Sequence, residues 1–221
     1  MPNRNPEISA SLMCVDFRQF DAQLDVLRAA GVTRVHLDFG DSHFVPNLIL
    51  GTEIFSLLES RDDFLVESHL MIQDPARRID QFAAGSDYII IHLEAAADPL
   101  SCLRQIQAEG LKAGIALRPE TPAQAVEPLL DVLDQVLVMT VQPGFAGGHY
   151  IPEMVPKVRA LRAMATARRP ALELSVDGSI NPRTIPALRE AGADIFVGGS
   201  SGLFTGADLA LSARQLMAAI R

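Results

Sequence analysis

The feature that most constrains this chain is a beat. Apolar strand-like runs that end in polar residues alternate with amphipathic helical runs, one pair roughly every 25 residues, along nearly the whole length of 221 residues. Strands are read at 8–13, 34–38, 64–69, 88–92, 112–117, 135–141, 172–177 and 194–197. Asp16 is read as the cap of the first helix, which carries Phe20, Leu24, Leu27 and Ala30 and stops at Gly31. Thr121-Pro122 opens the helix after the fifth strand, with Thr as cap and Pro in the first position. The run Tyr88-Ile89-Ile90-Ile91-His92 is continuously apolar up to its last residue, as a strand covered on both faces should be. Eight such units predict a parallel sheet closed into a (β/α)8 TIM barrel, one domain over residues 1–221. An open dinucleotide-binding sheet would need G-x-G-x-x-G after its first strand, and the sequence has none there.

Charge narrows the partner. The formal net charge is -8 and no basic run exceeds Arg168-Arg169, which argues against nucleic acid and against an anionic membrane surface. A small-molecule partner is expected. Two cysteines, Cys14 and Cys102, no leader pattern and no long apolar run lead to the expectation of a cytoplasmic protein with free thiols.

Side chains of a strand alternate, so His36 and Asp38 point to one side of theirs. His69 and Asp177 also lie at the carboxyl ends of strands, where barrel enzymes build their sites. Aspartates at strand ends also cap helices, but two imidazoles and two carboxylates on one barrel face suit one borderline divalent metal ion: zinc, iron, cobalt or manganese. Asp41 serves either as a further ligand or as an anchor for backbone amides of its loop. His92, ending its own strand, is read as a core or rim residue. Glycine-rich loops follow the last three strands: Gly144-Phe145-Ala146-Gly147, Gly178-Ser179 and Gly199-Ser200. Such glycines also close tight turns, but their joint position favours a phosphate held by backbone N–H groups. Met13, Met71 and Met139 fall near the same mouth, either as core filling or as a polarisable lining.

These residues resemble a known family. Ser11 with Asp16-Phe17, the run from His36 to Asn47, His69-Leu70-Met71, the stretch from Val138 to Gly147 and Val176-Asp177-Gly178 are similar, in order, to the motifs of the ribulose-phosphate 3-epimerase family. Ser11-Leu12-Met13-Cys14, Pro119-Glu120-Thr121-Pro122, Val138-Met139-Thr140-Val141, Asp177-Gly178-Ser179 and Ser201-Gly202-Leu203-Phe204 look closer to its D-allulose-6-phosphate 3-epimerase branch. The resemblance implies metal-dependent inversion at C3 of a phosphorylated ketose through an enediolate. It implies a metal on His36, Asp38, His69 and Asp177, with Asp38 accepting and Asp177 donating the proton in one direction. It further implies Ser11, His69, the 144–147 loop, Gly178, Ser179, Gly199 and Ser200 as substrate or phosphate contacts, and a homo-oligomer, dimer or hexamer. Three departures lie at the mouth: Gly40 where the family usually has Met, Ser42 where it has Gly, and Gln142 where it has Asn or Asp. They predict a wider or re-shaped pocket lined by Met13, Gly40, Met71, Met139 and Gln142, and leave the sugar open. Two other readings stay in play. An orotidine-phosphate-decarboxylase-type barrel would need a lysine between Asp38 and Asp41, where there is none; a non-catalytic sugar-phosphate-binding barrel would fit the loss of a ligand.

Overall fold

The computed structural model describes residues 5–206 and 208–221. In chain order the strands are β1 (Glu7–Ser11), β2 (Arg34–Asp41), β3 (Leu48–Ile49), β4 (Leu65–Met71), β5 (Tyr88–His92), β6 (Lys112–Leu117), β7 (Gln135–Met139), β8 (Glu173–Asp177) and β9 (Ile195–Gly198). The helices are α1 (Phe20–Ala29), α2 (Ile54–Leu58), α3 (Ile79–Ala83), α4 (Pro99–Ala108), α5 (Met154–Arg168), α6 (Ile185–Ala191) and α7 (Leu209–Ala219). All strands except β3 pair in parallel in the order β1-β9-β8-β7-β6-β5-β4-β2, and β1 pairs with β2 to close the (β/α)8 barrel. The short β3 instead folds back antiparallel on the end of β2, with Gly40 opposite Ile49.

Period 2 divides each strand between two environments. Outward residues such as Val35, Leu37, Ile89, Ile91, Val136 and Val138 join the helices in one buried apolar layer. Inside the barrel Ile90, Ala116, Leu137, Met139 and Val197 form a separate apolar cluster. The rest of the interior is polar: Ser9, His36, Glu67 and Ser175 are each fully buried. The β2–β4 register sets His36 beside Glu67 and Asp38 beside His69. Two one-residue alternations thereby become a compact group of ionisable side chains.

The helical layer departs from the sequence expectation most clearly after β6. Residues Ala123–Leu129 after β6 wind as a 3-10 segment with Pro128 inside it and Pro122 as its uncapped start. Proline supplies no N–H for an i-4 bond and its ring obstructs the preceding turn, so an α-helix cannot propagate there. Thr121, expected as a helix cap, sends its hydroxyl to the Glu94 carboxylate instead. Asp16 does cap, but it caps the 3-10 turn Phe17–Gln19 that precedes α1. Among the described residues no helix is long and apolar enough to cross a membrane.

Candidate active site

Four side chains converge at the carboxyl ends of β2, β4 and β8. One donor atom from each of His36, Asp38, His69 and Asp177 lies within 4.8 Å of the others, a set that could hold a metal ion. His36 Nδ1 lies 2.9 Å from Glu67 Oε1. That carboxylate also accepts from Ser9 Oγ at 2.7 Å, Arg34 Nη1 at 3.1 Å and Gln135 Nε2 at 3.1 Å, so it faces His36 as a pure acceptor. In the neutral ring the His36 proton is therefore on Nδ1. Its Nε2 lone pair, buried and without a hydrogen bond among the described residues, faces Asp38 Oδ1 at 3.3 Å. A lone pair aimed at a carboxylate across that gap wants a cation between them, and the donor set of imidazole and carboxylate suits a divalent ion.

The electrostatics agree. Burial disfavours a charged His36, yet Asp38 and Glu67 outweigh it and raise the pKa of His36 well above its ordinary value. The pocket thus draws positive charge to this spot. Burial works against ionisation of Asp38 too, but His36 and His69 hold it well below the usual carboxylate range. Asp177 goes the other way: burial first, then the neighbouring charge of Asp38, push it up. Two carboxylates in one site are driven apart, one toward the ionised form and one toward the protonated form.

Above this group opens a pocket. Asp38 and Asp177 reach its floor. Ser11, whose Oγ donates to Asp38 Oδ2 at 2.9 Å, lines it, as do Met13, Met71 and Met139. The other wall is made by Gly144, Phe145, Ala146, Gly147, Gly178, Ser179, Gly199 and Ser200, with Ile49 and Cys14 completing it. Ser179 Oγ donates to the Gly148 carbonyl and ties two of the glycine loops together. Gly178 has φ +118°, and an added Cβ would come within 2.5 Å of Val141 Cγ2, so no larger residue fits there. His36 and His69 sit fully buried beneath the floor.

Two expected lining residues are elsewhere. Gln142 is exposed and reaches Glu120 at 3.4 Å. Gly40 does not leave a wider mouth: a Cβ there would stand 2.9 Å from the Asn47 carbonyl oxygen, 2.9 Å from Ile49 Cγ1 and 3.0 Å from Val45 Cγ2. Val45 and Ile49, brought in by the β2–β3 turn, occupy the space that a side chain at 40 would need. Gly40→Met is accordingly expected to lower stability by about 1–3 kcal/mol through overpacking, read as a fall in urea midpoint. Asp41 anchors that turn: Oδ1 accepts from the amides of His43 and Phe44, each at 2.8 Å, and Oδ2 from Gln73 at 2.7 Å.

Against known proteins, the model of the ribulose-phosphate 3-epimerase family matches residues 7–204. The chain belongs to this family. It is 41% identical over 205 residues to the ribulose-phosphate 3-epimerase of Rhodobacter capsulatus, covering 92% of this chain and 88% of that one. It is likewise 41% identical over 199 residues to the Treponema pallidum enzyme of the same name, with 90% and 91% covered. Among solved structures, 3-keto-L-gulonate-6-phosphate decarboxylase from Vibrio cholerae shares the fold at a TM-score of 0.72 and 17% identity, with 98% and 97% covered. This member of the epimerase family carries a row that motif reading passed over: Glu67 behind His36, and His92 with Glu94 behind His69. A signal existed for Glu67, a charged residue two before His69 in a buried strand and so on the same face of it.

Proposed function

We propose that this family member is a metal-dependent ketose-phosphate 3-epimerase, an isomerase that inverts the carbinol carbon beside the ketone of a phosphorylated ketose. The observation that carries the reading is that His36, Asp38, His69 and Asp177 bring one donor atom each within 4.8 Å of the others, with the two carboxylates, Asp38 from β2 and Asp177 from β8, sharing the floor of one pocket. Inversion takes a proton from one face of C3 and returns one to the other, so acid and base must stand on different sides of the carbon. Asp38, kept ionised by its two histidines, is the acceptor. Asp177, whose carboxyl is pushed up by burial and by Asp38, is the donor. In the reverse direction the roles exchange. Ser11 holds Asp38 in place from β1, and the methionines keep water from the planar enediolate, which would otherwise be reprotonated without facial control.

His36, Asp38, His69 and Asp177 would hold a borderline divalent ion, zinc, iron, cobalt or manganese. When bound, such an ion supplies Lewis-acid stabilisation of charge on the ketose oxygens, which compensates for the weak basicity of a carboxylate. The backbone amides of the 144–147 loop, Gly178-Ser179 and Gly199-Ser200 are the phosphate end of the pocket, which needs no Lys or Arg.

The names of the relatives favour ribulose 5-phosphate and xylulose 5-phosphate as the pair. Ser11-Leu12-Met13-Cys14 and the other branch-like segments favour allulose 6-phosphate and fructose 6-phosphate as the second reading. Proton NMR in D2O with ribulose 5-phosphate, allulose 6-phosphate, fructose 6-phosphate and erythrulose 4-phosphate, in metal-supplemented protein, separates them. Exchange of the C3 proton with appearance of the epimer is expected for ribulose 5-phosphate alone under the first reading and for allulose 6-phosphate and fructose 6-phosphate together under the second. No exchange with any sugar overturns the epimerase in favour of a non-catalytic sugar-phosphate-binding barrel.

A further inference from the structure

A hydrogen-bonded row runs from the candidate metal centre to the barrel rim. Asp38 Oδ1 lies 3.0 Å from His69 Nδ1, His69 Nε2 lies 2.9 Å from His92 Nε2, and His92 Nδ1 lies 3.2 Å from Glu94 Oε2. Glu94 is itself fixed. Its Oε1 accepts from the Arg118 amide at 2.9 Å and from the Thr121 hydroxyl, which leaves Oε2 for His92.

The row has three contacts and a carboxylate at each end. Both imidazoles are fully buried, which favours the neutral ring with one proton each. Two ring protons cannot fill three contacts. If His69 Nδ1–H donates to Asp38, then His92 donates from Nε2 and turns a bare Nδ1 lone pair on the Glu94 carboxylate. If His92 Nδ1–H donates to Glu94, then His69 donates from Nε2 and turns its Nδ1 lone pair toward Asp38. The second arrangement is completed by a cation at the Asp38 end. Glu67 imposes the same condition on His36 from the other side.

We propose that His92 and Glu94 are positioning residues that fix His69 as the Nε2–H tautomer, so that its Nδ1 lone pair is presented to a divalent ion at the centre. This rests on the metal-dependent reading above and adds two residues to it. A histidine ligand held by an outer hydrogen bond to a carboxylate-backed partner loses affinity for its ion when that outer group is removed. Glu94→Gln makes the test selective. The Gln carbonyl is retained by the Arg118 amide, so the side-chain NH2 faces His92 Nδ1, and the row is pushed into the opposite direction, with His69 Nδ1–H aimed at Asp38.

The experiment uses the full chain and Co2+ alone, with affinity read by competition against a chromophoric chelator and the ligand field read from the visible spectrum. Glu94→Gln is expected to weaken Co2+ binding by about 10–100-fold, with the thermal midpoint retained. Thr121→Val, which removes one donor from the same carboxylate but leaves an acceptor oxygen on His92, is expected to bind Co2+ as the parent does. Ring 15N shifts of the Zn2+-loaded parent protein are expected to show His92 as the neutral Nδ1–H form and His69 as Nε2–H. Parent-like Co2+ affinity in Glu94→Gln, or His92 found as the Nε2–H form in the zinc protein, overturns the inference while leaving the metal centre intact. A parent protein that takes up no Co2+ overturns the metal centre and the inference together.

Discussion

Asp177→Asn is expected to lower epimerisation by about 10³-fold, the range over which a positioned acid or base contributes, and Asp38→Asn to do the same. Asparagine keeps the shape of either side chain and removes its ability to exchange a proton. The two variants differ in what survives. With Asp177 replaced, Asp38 still faces one side of C3, so the epimer whose C3 proton points at it continues to lose that proton slowly to D2O, without the opposite epimer appearing. With Asp38 replaced, the surviving exchange belongs to the other epimer. Proton NMR of each sugar in D2O, started from each epimer in turn and with bound metal measured in the same samples, reads both quantities. Epimer formation at the parent rate in either variant would overturn the two-carboxylate assignment. Exchange lost equally from both epimers, in variants that retain their metal, would mean that one group serves both faces.

Much of this site was legible because its residues obey the shortest periods in the sequence. His36 and Asp38 are two apart in a strand, His69 lies near the end of β4 and Asp177 ends β8, so a barrel topology alone brings them to one mouth. The run Tyr88–His92 forms a strand with the bounds that its composition indicates. What was not legible depends on register and on competition for local hydrogen bonds. That Glu67 stands beside His36 follows from a β2–β4 offset that no single strand encodes. That His92 belongs behind His69, and not merely at the rim, needs the β4–β5 register and the fold of the Glu94 turn. The segment after β6 has the Thr-Pro opening of a helix, but Pro128 stops one from forming. Gly40 suggested an opened mouth because absence of a side chain reads as space; the antiparallel return of β3 fills it with Val45 and Ile49.

Arg34→Met is expected to destabilise the fold by about 3–5 kcal/mol, because it strips the cation from a carboxylate that cannot reach water. The Arg34 and Glu67 side chains are 4% and 0% exposed, and Arg34 also reaches Glu7 at 3.1 Å and Glu173 at 3.5 Å. Burial alone would raise the Glu67 pKa; hydrogen bonding and charge from His36, the charge of Arg34 and the Ser9 hydroxyl bring it down to about 2. A folded-state value below the ordinary 4.5 means that the stabilisation is complete above about pH 4.5 and is lost as pH falls toward 2. The deficit of Arg34→Met, largest at neutral pH, should therefore narrow through that window as Glu67 is protonated. Urea unfolding at pH 7 and pH 3 measures it, and a deficit that does not change between them would mean that the lost guanidinium acted through packing against the Tyr88 ring, 5.1 Å away, instead of through charge. The double variant Arg34→Met/Glu67→Gln removes both charges, retains an acceptor for Ser9, and should recover most of the stability at pH 7. It should not recover the site, since an amide in place of Glu67 no longer obliges His36 to keep its proton on Nδ1, and affinity for a divalent ion should fall by about 10–100-fold. Stability restored with ion binding lost would separate the two uses of this buried pair: the fold needs the charges only to match, whereas the candidate metal centre needs a carboxylate behind His36.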